Sequence, residues 1–165
     1  MELFWHRRDL RAADNVGLAA AAGIGTDDAD RGPAAPVFVF DPDVLAHASD
    51  VRVRRLLDGL AALREAYRDR GSDLVVAHGD PETVLPRLAY ALDAERVVWN
   101  RDYSGRARER DAGVRRALDA LDAAREAHHD AVRHHTPALR TTCGDPCSLS
   151  RYSSAHAPAH ADVDP

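Results

Sequence analysis

Short apolar runs alternate with amphipathic stretches along most of the chain. Glu2-Leu3-Phe4-Trp5 is a brief apolar run stopped by the charged cluster His6-Arg7-Arg8-Asp9. The next apolar-periodic stretch begins behind Asp14-Asn15, both good helix-capping types, so the opening reads as strand, loop and helix. Gly23 to Pro36 is rich in Gly, Asp, Pro and Ala without a period and reads as a surface loop. Val37-Phe38-Val39-Phe40, stopped by Asp41-Pro42, has the continuous apolar character of a strand buried on both faces. From Asp50 to Arg70, Val53, Leu56, Leu57, Leu60, Leu63 and Tyr67 recur at spacings of three and four, which predicts a long helix closed by Gly71.

Leu74-Val75-Val76-Ala77 predicts a third buried strand ending at Gly79-Asp80-Pro81. Asp80 then caps a helix that starts at Pro81 and turns Val84, Leu85, Leu88 and Leu92 inward. Val97-Val98-Trp99-Asn100 is a fourth strand. The loop Arg101 to Arg106 leads to a helix that sends Val114, Leu118 and Leu121 to the core. Ala123 to His129 stands where a fifth strand belongs, yet Ala-Ala-Arg-Glu-Ala-His-His has helical propensity and no apolar face. Arg133 to Pro165 is rich in His, Ser, Thr, Pro and Ala, with few large apolar residues. It reads as a peripheral or mobile tail behind a domain spanning 1–132.

Alternating short strands and helical crossovers specify the α/β class: a doubly wound, mostly parallel five-stranded sheet with helices on both faces. In such sheets ligands bind at the carboxyl ends of the strands. Here those ends are His6-Arg7-Arg8-Asp9, Asp41-Pro42, His78-Gly79-Asp80 and Asn100-Arg101-Asp102. Arg8 faces that crevice, where its planar fork suits a carboxylate, phosphate or ring carbonyl; its structural alternative is a brace to Asp9 or Asp41. Arg7, Asp9 and Arg11 alternate in sign and read as an ion-pair lattice closing the end of the sheet.

Composition narrows the classes. No apolar run approaches the roughly 20 residues of a membrane span. The opening also lacks a secretory pattern, so the expected location is cytoplasmic, with no membrane partner. All 22 basic residues are arginine, aspartate outnumbers glutamate, and the formal net charge is −5. A GC-rich coding bias or a high-salt cytoplasm would each produce this. The negative balance disfavours broad attraction to nucleic-acid phosphates. Neither a P-loop nor Gly-x-Gly-x-x-Gly is present, and no Ser or Cys sits at a strand-to-helix elbow. His128, His129, His134, His135, Cys143 and Cys147 match no usual zinc framework, so neither a metal site nor a catalytic residue is assigned.

Leu3-Phe4-Trp5-His6-Arg7-Arg8-Asp9-Leu10-Arg11, followed by Asp14-Asn15 and Leu18, resembles the opening of the DNA photolyase and cryptochrome family. The likeness recurs in order at Val39-Phe40-Asp41-Pro42, at Arg52 with Leu56, at Gly79-Asp80-Pro81, and at Trp99-Asn100 with Asp102, Arg108, Arg110 and Asp111. The resemblance implies the N-terminal α/β domain, which holds a light-harvesting antenna chromophore, a folate or a flavin type. The catalytic FAD and the groove for the pyrimidine dimer belong to a separate helical domain in that family. The expected function is therefore the antenna half of a deoxyribodipyrimidine photolyase-like repair protein, not catalytic alone and not itself binding that FAD.

The resemblance also implies partners and site residues. A helical FAD-binding domain or chain is the expected partner, with DNA reached only through it, and a weak fifth strand leaves an edge open to homodimerisation. Asp41, Arg52 and Asp102 match family positions lining the deazaflavin pocket and join Arg8 as candidate cofactor-binding residues. An 8-hydroxy-5-deazaflavin is favoured over folate, because the lysine-free acidic composition resembles that of high-salt organisms where deazaflavins are common. The likeness departs at Ser104, where deazaflavin-binding relatives tend to carry an acid, and in the fifth strand. It departs again after Gly144-Asp145-Pro146-Cys147-Ser148, which is similar to the family's junction segment but leads into Arg151-Tyr152-Ser153-Ser154. Two alternatives stay open: a stand-alone nucleotide-binding or regulatory α/β module, and a truncated remnant that binds nothing.

Overall fold

Five strands form one parallel sheet in the order β3-β2-β1-β4-β5. The computed structural model describes residues 1–24, 33–121 and 123–129. In chain order the elements are β1 (Glu2–His6), α1 (Val16–Ala21), β2 (Ala34–Phe40), α2 (Pro42–Leu45) and α3 (Asp50–Arg68). Then follow β3 (Val75–His78), α4 (Pro81–Ala91), β4 (Arg96–Asn100), α5 (Gly105–Asp119) and β5 (Ala124–His128). The predicted doubly wound α/β fold is the one observed.

The pleat explains why the central strands are apolar on both faces. Leu3, Trp5, Val37, Val39, Val97 and Trp99 point to one side, where Leu85 and Ala89 of α4 and Val114 and Leu118 of α5 complete a buried cluster. The intervening residues point the other way. Phe38 packs with Leu60, Leu63 and Tyr67 of α3, and Phe4 and Val98 pack with Ala21 of α1.

Three caps act as the sequence predicts. Asn15 accepts from the Leu18 amide and Asp80 from the Glu82 amide. Gly71, at φ +75°, takes the left-handed turn behind α3, whose last helical residue is Arg68 rather than Arg70.

The structure corrects the reading in three places. β2 begins at Ala34, inside the expected loop; β3 pairs with it only from Val37 onward, so Pro36 interrupts no ladder on that side. β3 is an edge strand instead of a buried one, with Val76 47% exposed. Leu57 and Leu121 face solvent at 51% and 52% exposure: Leu56, not Leu57, packs with Leu60 and Leu63, and Leu121 stands beyond the end of α5 at Asp119. The fifth strand stands where the five-stranded reading placed it, at Ala124–His128, despite its composition. It is half-exposed and pairs with the open side of β4 from Arg96↔Ala124 to Asn100↔His128.

The expected tail at 133–165, with His134, His135, Cys143, Cys147 and the Gly144–Ser148 segment, lies outside the described residues. So does the middle of the expected loop, 25–32. No described helix is long and apolar enough to cross a membrane.

Candidate functional site

The charged segment after β1 is built from the inside outward. Asp9 is buried and its carboxylate is fully engaged: Oδ1 accepts from the Arg7 amide at 3.0 Å, and Oδ2 from Asn100 Nδ2 at 2.6 Å and Asn15 Nδ2 at 3.2 Å. Asn100 Oδ1 in turn accepts from the Gly17 amide at 3.0 Å. A Cβ on Gly17 would stand 2.4 Å from that oxygen, so only glycine admits the contact. This network ties the ends of β1 and β4 to the start of α1.

Arg7 points inward. One of its Nη atoms donates to the Asp111 carboxylate and the other to the Asn100 carbonyl, with both side chains of the ion pair about 95% buried. Asp111 also accepts from Trp99 Nε1 at 3.3 Å. Burial pushes the Asp111 carboxyl up and the Arg7 guanidinium down, and the attraction between the two opposes both shifts. His6, fully buried, faces the Asp9 carbonyl through Nδ1 at 3.0 Å and the Tyr67 hydroxyl through Nε2 at 2.7 Å. A carbonyl only accepts, so Nδ1 carries the proton and Tyr67 donates to Nε2. Burial holds the imidazole below its ordinary value, so neutral His6 ties β1 to α3. The ion-pair lattice expected among Arg7, Asp9 and Arg11 takes another form: Arg7 pairs with Asp111, Asp9 accepts from neutral amides, and Arg11 donates to the Asp14 carbonyl.

Above this floor a crevice of about 910 Å³ opens at the carboxyl ends of β1 and β2, between α2, α3 and α5. This is the edge at which the winding rule places a ligand. Phe40, Val44, Leu45, Val53 and Leu56 supply apolar wall, and Trp5 reaches it from the sheet. All four residues singled out in the sequence line it. Arg8 is largely exposed and pairs with Asp102 at 3.4 Å, neither with Asp9 nor with Asp41. Asp102 also accepts from the Tyr103 and Ser104 amides. Asp41 caps α2 through the Asp43 amide and pairs with Arg110 at 3.3 Å. Arg52 lies exposed near the start of α3. Ser104, where the acid was expected, caps α5 by accepting from the Ala107 amide.

Arg110 is the residue that sequence reasoning did not place in the site. Its guanidinium lies 5.4 Å from the Trp5 ring centroid, with that of Arg7 at 5.1 Å, and holds Asp41 from α5. Its Nε is buried without a hydrogen-bond partner among the described residues. An orphaned donor on the crevice wall is costly unless something accepts from it. The only signal in the sequence was its place in the string Asp102, Arg108, Arg110, Asp111. Volume, apolar walls, paired rim charges and this donor together fit a flat, mostly apolar ring with polar substituents.

The DNA photolyase family model matches residues 2–161. The chain belongs to the DNA photolyase family. This family domain is 61% identical over 155 residues to the deoxyribodipyrimidine photo-lyase of Halobacterium salinarum, covering 92% of this chain and 32% of that one. Its fold matches an archaeal photolyase from Sulfolobus tokodaii, solved with two FAD molecules, at TM-score 0.69 and 28% identity over 82% of this chain and 32% of that one. A class III photolyase from Agrobacterium tumefaciens matches at TM-score 0.68 and 28% identity, over 99% and 33%. The photolyase-family chain thus spans about a third of the length of these relatives.

Proposed function

We propose that this chain is the light-harvesting part of a deoxyribodipyrimidine photolyase-like DNA repair protein, holding an antenna chromophore in the crevice at the carboxyl edge of the sheet. An 8-hydroxy-5-deazaflavin is favoured over a folate on the lysine-free acidic composition, which resembles that of high-salt organisms. The observation that carries this reading is the large apolar-walled crevice with the orphaned Arg110 Nε on its wall. The Sulfolobus tokodaii relative, described as implying a novel light-harvesting cofactor alongside its two FAD molecules, supports a flavin-type ring in this fold.

The bound chromophore would supply absorption in the near-ultraviolet to blue and pass excitation onward. The protein supplies position and electrostatics. Phe40, Leu45, Val53 and Leu56 exclude water from the ring, and buried Trp5, with two guanidiniums against its ring, forms a wall. Arg110 Nε donates to a ring carbonyl or nitrogen. Arg8 and Arg52 hold anionic or carbonyl substituents, and Asp41 and Asp102 accept from hydroxyls. Repair itself belongs to an FAD-binding helical part beyond the third of the relatives that this chain matches, and contact with DNA is made through that part.

An absorbance spectrum of the purified chain tests this reading. A near-ultraviolet to blue band carried through purification, or gained with 8-hydroxy-5-deazaflavin and not with a reduced folate, is the expected result. Tight adenine-nucleotide binding with no affinity for either chromophore would contradict it and favour a stand-alone nucleotide-binding module.

A further inference from the structure

Beneath the crevice, Tyr67, His6 and Asp9 form a hydrogen-bonded row that the holding of a ligand does not use. Tyr67, 6% exposed, donates its phenolic proton to His6 Nε2 at 2.7 Å, and His6 Nδ1 donates to the Asp9 carbonyl at 3.0 Å. The phenol and imidazole rings stand edge to face, 5.8 Å apart. Phe38, Leu60, Leu63 and Leu74 share the buried cluster with Tyr67 and keep water from it. A buried hydroxyl needs a hydrogen-bond partner, and a carbonyl would satisfy it. Here the partner is a base.

The charge around the row suits a proton on His6. The buried Asp9 carboxylate accepts hydrogen bonds from neutral donors, the Arg7 amide and the side-chain amides of Asn15 and Asn100, while the Arg7 guanidinium is engaged by Asp111. At rest burial keeps the imidazole neutral, with Arg11 acting the same way and the Asp9 charge and carbonyl acting against it. Burial, and after it the Asp9 charge, holds the Tyr67 phenol well above its ordinary value against Arg70, so the proton stays on oxygen. Loss of an electron reverses that order, because an oxidised phenol is a far stronger acid than an imidazolium. His6 also lines the crevice, as do Phe38 and Leu56 of the cluster around Tyr67, so the phenol lies one side chain behind the crevice floor.

We propose that Tyr67 and His6 form a proton-coupled electron donor that takes up the oxidising equivalent of a one-electron oxidant, a photoexcited aromatic ring, lodged in the crevice. One electron passes from the phenol to the oxidant, which is reduced by one electron. The phenolic O–H bond breaks as an N–H bond forms at His6 Nε2. The products are a neutral tyrosyl radical and an imidazolium, the latter hydrogen-bonded to the Asp9 carbonyl, with the Asp9 carboxylate as counter-charge. No proton has to reach solvent, and the radical stays buried. The nature of the oxidant rests on the chromophore reading above; the pair itself is tested without it.

Flash-generated ruthenium(III) tris(bipyridine) supplies the oxidant from solution, and transient absorbance with freeze-quench electron paramagnetic resonance reads where the radical settles. The full chain carries Tyr90→Phe/Tyr103→Phe/Tyr152→Phe, which leaves Tyr67 as its tyrosine. The expected result is a tyrosyl radical that is lost on Tyr67→Phe. His6→Gln keeps an acceptor for the hydroxyl but removes the base. It should slow tyrosyl formation about a hundredfold and make the rate rise with buffer concentration, which a merely structural His6 would not do. A final radical on Trp5 or Trp99, or a tyrosyl rate unchanged by His6→Gln, overturns the proposal and leaves the chromophore reading standing. A His6-dependent tyrosyl radical in a chain that binds no chromophore sustains the pair and sinks the chromophore reading alone.

Discussion

Arg7 and Asp111, 104 positions apart, close a buried ion pair beneath the crevice, with the Asn100 carbonyl and the Trp99 indole completing their hydrogen bonds. The pair clamps α5 to the ends of β1 and β4, and α5 carries Arg110 to the crevice wall. Removing one partner strands a charge in the interior. Asp111→Ala is therefore expected to cost about 3–5 kcal/mol in chemical denaturation. Arg7→Met combined with Asp111→Leu should recover most of that loss. A double variant as unstable as the single one would show that the charges themselves hold the fold.

Stability should also depend on pH through His6. Burial depresses its folded value, and the unfolded chain takes up a proton first, near the ordinary value of about 6.5. The contribution of neutral His6 is complete above about pH 6.5 and is lost as pH falls towards its lower folded value, with a slope approaching about 1.4 kcal/mol per pH unit. Denaturation midpoints from pH 7.5 to 5 measure it. His6→Gln should flatten the slope in this window, and a slope that survives the substitution would assign it to other groups.

Two glycines give opposite predictions. Gly17→Ala drives a Cβ into Asn100 and Phe4 and should cost about 1–3 kcal/mol. Gly105→Ala meets nothing within 4 Å at the start of α5 and should be neutral or slightly stabilising. Thermal melts of the two variants side by side check the packing of the β1 to β4 loop network directly.

The Asp41 and Arg110 pair makes a prediction about binding. Arg110→Leu keeps bulk over Trp5 but removes both the donor and the partner of Asp41. It should weaken chromophore binding by about tenfold or more while leaving the fold in place. Chromophore titration of the variant, with circular dichroism as control, measures the effect. Unchanged affinity would remove Arg110 from the site.

Much of this was legible in the residues. The alternation of Leu3, Trp5, Val37 and Val39 with Phe4 and Phe38 told of a sheet covered on both faces, and the winding rule then located the crevice with Arg8 at its edge, while Asp41, Arg52 and Asp102 were implied by the family resemblance. What escaped the sequence was set by partners distant along the chain. Ala124–His128 has no strand composition; its ladder is supplied by the open side of β4, and its side chains are held by Asp119 on Arg125 and by Arg96 beside Glu126. Which of the adjacent Leu56 and Leu57 meets the core is not decided by a period of 3.6, and Leu121 falls beyond the last residue of α5. Arg110 entered the sequence reading only through the family string, and the fold brings its guanidinium to the Trp5 ring.

The most direct test is an equilibrium titration of the folded chain with 8-hydroxy-5-deazaflavin, read by quenching of indole fluorescence, since Trp5 lines the crevice. Saturable binding at one site per chain, weakened by Arg52→Ala and by Arg110→Leu, is the predicted result. A folded chain that shows no saturable binding, or binding indifferent to both substitutions, would contradict the assignment of this crevice as the antenna site.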